Sequence, residues 1–297
     1  MQIDSDPEKM AAALEATGDY RILRRLKPRR TINGSDGSKT RTGLFLDLET
    51  TGLDPAKDEI IEFGMVPFTY GLDGRIFEIG EAFGWLRQPS TPIPQEITAI
   101  TGITDEMVAG KTVDPAEVAA VAAPVDLMVA HNAAFDRRFA ERFCDVFTTK
   151  PWACSMSQVP WAEEGFEGAK LGYLLAGCGL FHDAHRAIDD CIAGIEILAR
   201  PLPKSGVTAL ARLLEEARKA TCRIWAENSP FDVKDILKAR GYRWNAESNG
   251  RPKAWHVDVP EEGLAEEIAF LKGEIYRREV EPFIQRVGAY DRFSDRC

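Results

Sequence analysis

The chain has 297 residues, 44% hydrophobic and 28% charged, with a formal net charge of -10. That length and balance suit a globular protein with room for one medium domain and a smaller one, and no apolar run approaches the ~20 residues of a membrane helix. The acidic balance excludes a generic nucleic-acid coat, which neutralises many phosphates with Lys and Arg.

Residues 1–42 read as a basic N-terminal arm and linker. Apolar residues at Met10, Ala13, Leu14, Ile22, Leu23 and Leu26 predict a helical stretch over 8–26, interrupted at Gly18-Asp19. Pro28 and the run Asn33-Gly34-Ser35-Asp36-Gly37-Ser38 end it and predict a flexible linker. Residues 20–42 hold eight Lys and Arg against the single acid Asp36, which leaves the rest of the chain at -17. The arm reads equally as a docking element for DNA or a partner and as a solvated helical extension. The opening residues lack the basic-then-apolar layout of a signal peptide, so a cytoplasmic location without a membrane partner is expected.

A domain is expected over 43–202. Alternation and turn residues predict strands at 44–49, 60–70 and 75–87, then a helix at 114–122, a buried strand at 126–130 and a helix at 135–147. Residues 168–178 and 186–199 look helical, and Pro201 and Pro203 close the domain. Three adjacent strands followed by alternating helix and strand predict a mixed sheet covered by helices. A connecting helix is expected over 203–220.

The texture then changes. Residues 221–260 predict a small strand, helix and hairpin domain: a strand at 222–226, a helix at 231–240 closed by Gly241, and a hairpin turning around Ser248-Asn249-Gly250. Trp225, Trp244 and Trp255 could stack on bases beside Arg243, Arg251 and Lys253, although aromatics in so small a unit more often form its core. Residues 261–297 read as a C-terminal amphipathic helix and tail. Six cysteines, at 144, 154, 178, 191, 222 and 297, form no Cys-x-x-Cys pair and no zinc-knuckle spacing. They read as reduced and packed, and zinc is disfavoured.

The chemistry-bearing pattern begins in the first of these strands, Leu44-Phe45-Leu46-Asp47-Leu48-Glu49. Side chains two apart on a strand share a face, so Asp47 and Glu49 leave one face together. Two carboxylates that close repel and lose hydration, and a hard divalent cation is the economical explanation. Two further motifs follow: His131-Asn132-Ala133-Ala134-Phe135-Asp136 and His185-Arg186-Ala187-Ile188-Asp189-Asp190. Five steps of a helix carry about 140° of arc, so His185 and Asp190 converge only if His185 sits in the loop before the helix.

In this order and span the three motifs resemble those of the DEDD superfamily of 3'-5' exonucleases in its histidine subtype, which includes the epsilon-type proofreading enzymes. The resemblance covers residues 43–200. It departs at Thr101, where many relatives carry His. The resemblance implies an α/β fold: a ribonuclease H-like mixed five-stranded sheet flanked by helices, here with the small α+β domain behind it. It implies two Mg²⁺ or Mn²⁺ ions, with Asp47 bridging, Glu49 and Asp190 on one ion, and Asp136 on the other chiefly through water. It makes His185 the general base. Thr50, Thr51 and Leu53 are then expected to receive the terminal nucleotide, and Asn132 to brace its loop or touch the substrate backbone.

The expected activity is 3'-5' hydrolysis of single-stranded or frayed DNA ends to nucleoside 5'-monophosphates. A DNA polymerase or repair complex is a possible partner. Trimming of RNA ends by the same chemistry is the first alternative, and a noncatalytic polymerase-recruitment module the second.

Overall fold

A computed structural model describes residues 6–246 and 250–297. The expected hairpin turn at 248–250 falls partly on residues 247–249, outside that description. The chain divides into two compact units. The first ends at Glu216 and takes in Phe293–Asp295; the second is Ala217–Arg292 with Arg296–Cys297. Among the described residues no helix is long and apolar enough to cross a membrane.

In the first unit, α1 (Pro7–Glu15) and β1 (Arg24–Arg25) precede β2 (Thr40–Thr50), β3 (Ile60–Gly71), β4 (Ile76–Ile79) and β5 (Phe83–Leu86). Then come α2 (Gln95–Thr101), α3 (Asp105–Val108), α4 (Pro115–Ala122), β6 (Leu127–Ala130), α5 (Ala133–Phe143), β7 (Trp152–Cys154), α6 (Leu171–Gly177), β8 (Leu180–Phe181), α7 (Ala187–Ala199) and α8 (Ala209–Arg218). The main sheet runs β4-β3-β2-β6-β7, with β5 also on β3. The single strand expected at 75–87 is therefore two short ones, parted around Gly80 and laid along the same edge of β3. The sheet is mixed: β2 pairs antiparallel with β3 and parallel with β6.

Strand β2 is central because both of its faces are apolar. Leu44, Leu46 and Leu48 enter a core with Val118, Phe139, Ala140 and Phe147. Phe45, on the other face, lies against α7, where a Cβ on Gly194 would fall 2.2 Å from its ring. Gly64 on β3 has the same purpose at the start of that helix, since a Cβ there would lie 2.3 Å from the carbonyl carbon of Ala187. Two missing side chains thus let α7 press onto the sheet beside Asp47.

At the end of β2 the register shifts. Glu49 faces Glu62 but Thr50 faces Ile60, leaving Ile61 as an extra residue. This bulge lets Ile60 and Phe63, three apart, enter the same core.

The arm departs from the helical expectation. The helix stops at Glu15, and residues beyond the Thr17-Gly18-Asp19 turn run extended, because tertiary pairing outcompetes a weak local period. Residues 30–33 lie along β4, with Ile79 N–H donating to Arg30 O and Ile32 N–H to Phe77 O. The stretch expected to be a flexible linker is tied down: Asn33 donates to Ile76 O at 2.6 Å, and Asp36 pairs with Arg75.

In the second unit, β9 (Thr221–Ala226), α9 (Lys234–Ala239), β10 (Arg243–Trp244), β11 (Trp255–Pro260), α10 (Leu264–Phe270) and β12 (Phe283–Val287) follow. Their antiparallel sheet runs β10-β11-β9-β12. The amphipathic helix expected after Glu261 is α10, continued to Tyr276, and the tail beyond it returns as a strand beside β9. Ile224, Ala226, Leu237, Tyr242, Leu271 and Ile275 form the core of this unit.

Candidate active site

Three carboxylates meet at the end of β2. Asp47, Glu49 and Asp190 each present an oxygen within 4.8 Å of the others. Asp47 and Glu49 come from alternate positions of one strand, and Asp190 from the first turn of α7, which Gly64 admits to close range. Asp136 lies in the first turn of α5, 3% exposed, outside that triad. Its Oδ1 accepts the Leu48 N–H at 3.2 Å, which ties α5 to the strand between the two paired acids.

The electrostatics are those of a site short of positive charge. Burial, followed by Asp136, Asp190, Glu49 and Glu62, holds the Asp47 carboxyl well above the ordinary range. Burial and then Asp190 and Glu62 push Glu49 up to about 8, against the opposing pull of Arg186. Asp136 is likewise pushed up to about 8 by burial, although backbone N–H groups oppose it. Oxygen-only donors carrying excess negative charge fit Mg²⁺ or Mn²⁺. The Cys191 thiol beneath the site donates to Phe45 O and Gly64 O at 3.5 and 3.3 Å.

The loop before α7 holds Asp190 from two sides. His182 Nε2 lies 2.6 Å from Asp190 Oδ1, and the His185 N–H donates to Asp190 Oδ2 at 2.8 Å. His185 is exposed, with φ at +65°, a left-handed backbone that non-glycine residues adopt at a cost. The imidazole on the acid cluster is thus that of His182.

Sequence reasoning misses both His182 and Glu62. Glu62 is buried, faces Glu49 across the strands, and accepts Arg186 Nη2 at 2.8 Å and the Ala187 N–H at 3.0 Å. It therefore caps the first turn of the helix that delivers Asp190.

A strap holds the same loop. β1 pairs parallel with β8, with Arg24 N–H donating to Gly179 O and Leu26 N–H to Phe181 O. Arg25 pairs with Asp183 at 2.5 Å and lies over the Phe181 ring, while Arg29 grips Glu196 of α7 through two bonds. Arg24 pairs with Glu8 and Arg41 with Asp126. Four of the arm's eight basic residues are therefore answered by acids of the same unit.

The remaining expected site residues surround the cluster differently. Thr50 and Thr51 are buried and shape the turn: Thr50 donates to Gly52 O, and Thr51 Oγ1 accepts the Glu59 N–H. Leu53 is 82% exposed at the tip. Asn132 is exposed just ahead of α5, and its carbonyl accepts the Phe135 and Asp136 N–H groups. His131 bridges Ser155 Oγ and Ala169 O at 2.8 and 2.7 Å, bracing the loop.

A mixed sheet flanked by helices, with a carboxylate cluster at the end of its central strand, has the ribonuclease H-like fold. The exonuclease family (RNase_T) matches residues 44–198, and the chain belongs to that family. It is 28% identical over 269 residues to the PolC-type DNA polymerase III of Thermotoga maritima, covering 81% of this chain and 18% of that one. It is 32% identical over 161 residues to the DNA polymerase III epsilon subunit of Treponema pallidum, covering 51% and 72%. The zinc-bound E. coli exonuclease I complex with single-stranded DNA shares the fold, with a TM-score of 0.50 and 16% identity over 85% of this chain and 66% of that one. Several PolC-type relatives and an epsilon-like protein of Rhodobacter capsulatus are far longer, and the chain spans 12–26% of their length.

Proposed function

We propose that the chain is a divalent-metal-dependent 3'-5' exonuclease of the histidine subtype, acting on single-stranded or frayed DNA ends and releasing nucleoside 5'-monophosphates. The observation that carries this reading is the meeting of Asp47, Glu49 and Asp190 within 4.8 Å, with Asp136 close behind. Such a set suits two ions, with Asp47 shared, Glu49 and Asp190 on one, and Asp136 serving the other. Mg²⁺ or Mn²⁺ held there would activate water and neutralise charge on the leaving oxygen. DNA is favoured over RNA by the polymerase subunits among the relatives, and a polymerase or repair complex is the partner such relatives suggest.

The protein groups divide the remaining work. His185, exposed at the mouth on a left-handed backbone, accepts the proton from the attacking water, for which an imidazole is suited near neutral pH. His182 orients Asp190. Leu53 meets the last base from the exposed turn, and Thr50 and Thr51 hold that turn where its backbone reaches the 3'-hydroxyl. Asn132 contacts the substrate backbone.

Digestion of a 5'-labelled single strand with and without Mg²⁺, alongside Asp190→Asn, tests the reading. A ladder shortening from the 3' end only with metal, and absent in the variant, is expected. Products that keep the 3' end intact, or full activity in the variant, would sink it. Matched RNA oligomers in parallel decide the substrate.

A further inference from the structure

We propose that the second unit carries its own binding surface for single-stranded DNA, built from Phe231, Lys234, Lys238, Trp255 and Trp244. The choice of DNA as the strand rests on the nuclease reading above; the surface itself does not.

These side chains form one stripe in which two cations lie between an exposed ring and a pair of tryptophans. Phe231, 80% exposed, lies just ahead of α9, and the Lys234 ammonium sits 4.1 Å from its ring centroid. One turn later the Lys238 ammonium is 5.9 Å from the ring of Trp255. Trp255 in turn meets Trp244 edge-on at 5.7 Å, and Trp244 is 50% exposed. The core of the unit does not need the exposed pair, since it is closed by Tyr242, Leu237, Leu271 and their neighbours, and Trp225 is buried separately. Two large aromatics left in water beside the same basic stripe form a patch suited to an occupant.

The charge pattern selects that occupant. Residues 231–255 hold six Lys and Arg against three Asp and Glu, whereas 258–281 hold eight acids against three bases, in a chain of net charge -10. Along the sequence, positive charge is thus concentrated in the segment that carries these rings, with Arg240 turned to Glu266 and Glu267. Asp235, 4.0 Å from Lys238, and Asp258, 3.6 Å from Arg243, weaken that field without covering the rings. A protein partner would find lysines where interface cores are depleted of them. Unstacked bases on Phe231, Trp255 and Trp244, with phosphates on the lysines, satisfy both halves of the stripe.

The test is fluorescence anisotropy of a labelled oligothymidylate of about twelve nucleotides, within the usual site size of such surfaces, titrated with the full chain in EDTA so that no strand is cut. Phe231→Ala and Trp244→Ala are each expected to weaken binding by about 5–150-fold, the range for one lost stacked base. The Lys234→Ala/Lys238→Ala double variant should reduce the slope of log affinity against log salt by about 1.4. Both aromatics are exposed, so circular-dichroism melts should match the parent. Unchanged affinity in the two aromatic variants, a duplex bound as tightly as the single strand, or a tenfold preference for oligouridylate would overturn the proposal. Binding is read without turnover, so a chain that degrades nothing yet shows these losses would sink the nuclease reading and leave the surface standing.

Discussion

Asp47 is the residue on which charge weighs most, since it takes the repulsion of three neighbouring carboxylates besides Glu62 while losing water. The sign of the consequence follows. Unfolded carboxylates titrate near 4, whereas Glu49 and Asp136 hold their protons to about 8 in the folded chain. Between those values the folded state binds more protons, so metal-free stability falls as pH rises from about 4 to about 8 and levels off above. Divalent ions should reverse the loss, most strongly at the upper end. Asp47→Asn should raise the metal-free melting temperature at pH 8 by about 2–4 °C, the shift that ~1 kcal/mol makes in a domain of this size, and should abolish the Mg²⁺ response. A lower melting temperature would show that the carboxylate is not strained. His185→Ala should keep metal binding and lower kcat by about 10²- to 10⁴-fold, the range for a lost general base; an unchanged kcat would pass the role to another group.

The paired acids were legible because alternation along a strand is a strictly local rule, and Asp136 and Asp190 because their motifs match those of a known family. His182 and Glu62 were not. His182 reaches Asp190 only because β1 and β8 set the path of its loop, and a parallel pair of two-residue strands leaves no periodic trace. Glu62 looks like a polar interruption in an apolar strand until the pairing of β2 with β3 sets it opposite Glu49.

Among elements, α7 decides the site, because it carries Asp190 while Gly64 and Gly194 set its distance from the sheet. Gly64→Ala would drive a methyl group into the Ala187 backbone, which cannot turn aside as a side chain can. Overpacking of this kind costs about 1–3 kcal/mol, and a displacement near 1 Å at a reacting centre costs about 10²-fold in rate. Urea unfolding together with kcat should show both effects; a variant with parental stability and rate would mean that the helix is not seated as described. The sequence pattern marked this helix and the strands it covers, but not how near they come, since an isolated glycine in a strand could equally mark a bulge. The two-residue β8 and three-residue β7 were too short for any periodicity to show.

Across the whole molecule, the two units differ in how local their construction is. Most neighbours in the first sheet lie close in sequence, whereas β9 is flanked by β11 and by β12 from near the far end of its segment. Removal of residues from 279 onward should therefore uncover one edge of β9 and leave its unpaired N–H and C=O groups open to other chains. Light scattering during a melt should show earlier aggregation than in the full chain, and an unaltered profile would mean that the last strand is dispensable. The same arrangement imposes a schedule on biosynthesis. Nearly all of the nuclease unit clears the ribosome first and can collapse vectorially, while the aromatic module waits with one hydrogen-bonding edge bare until β12 emerges. A slow stretch of translation ahead of Phe283 would prolong that exposure.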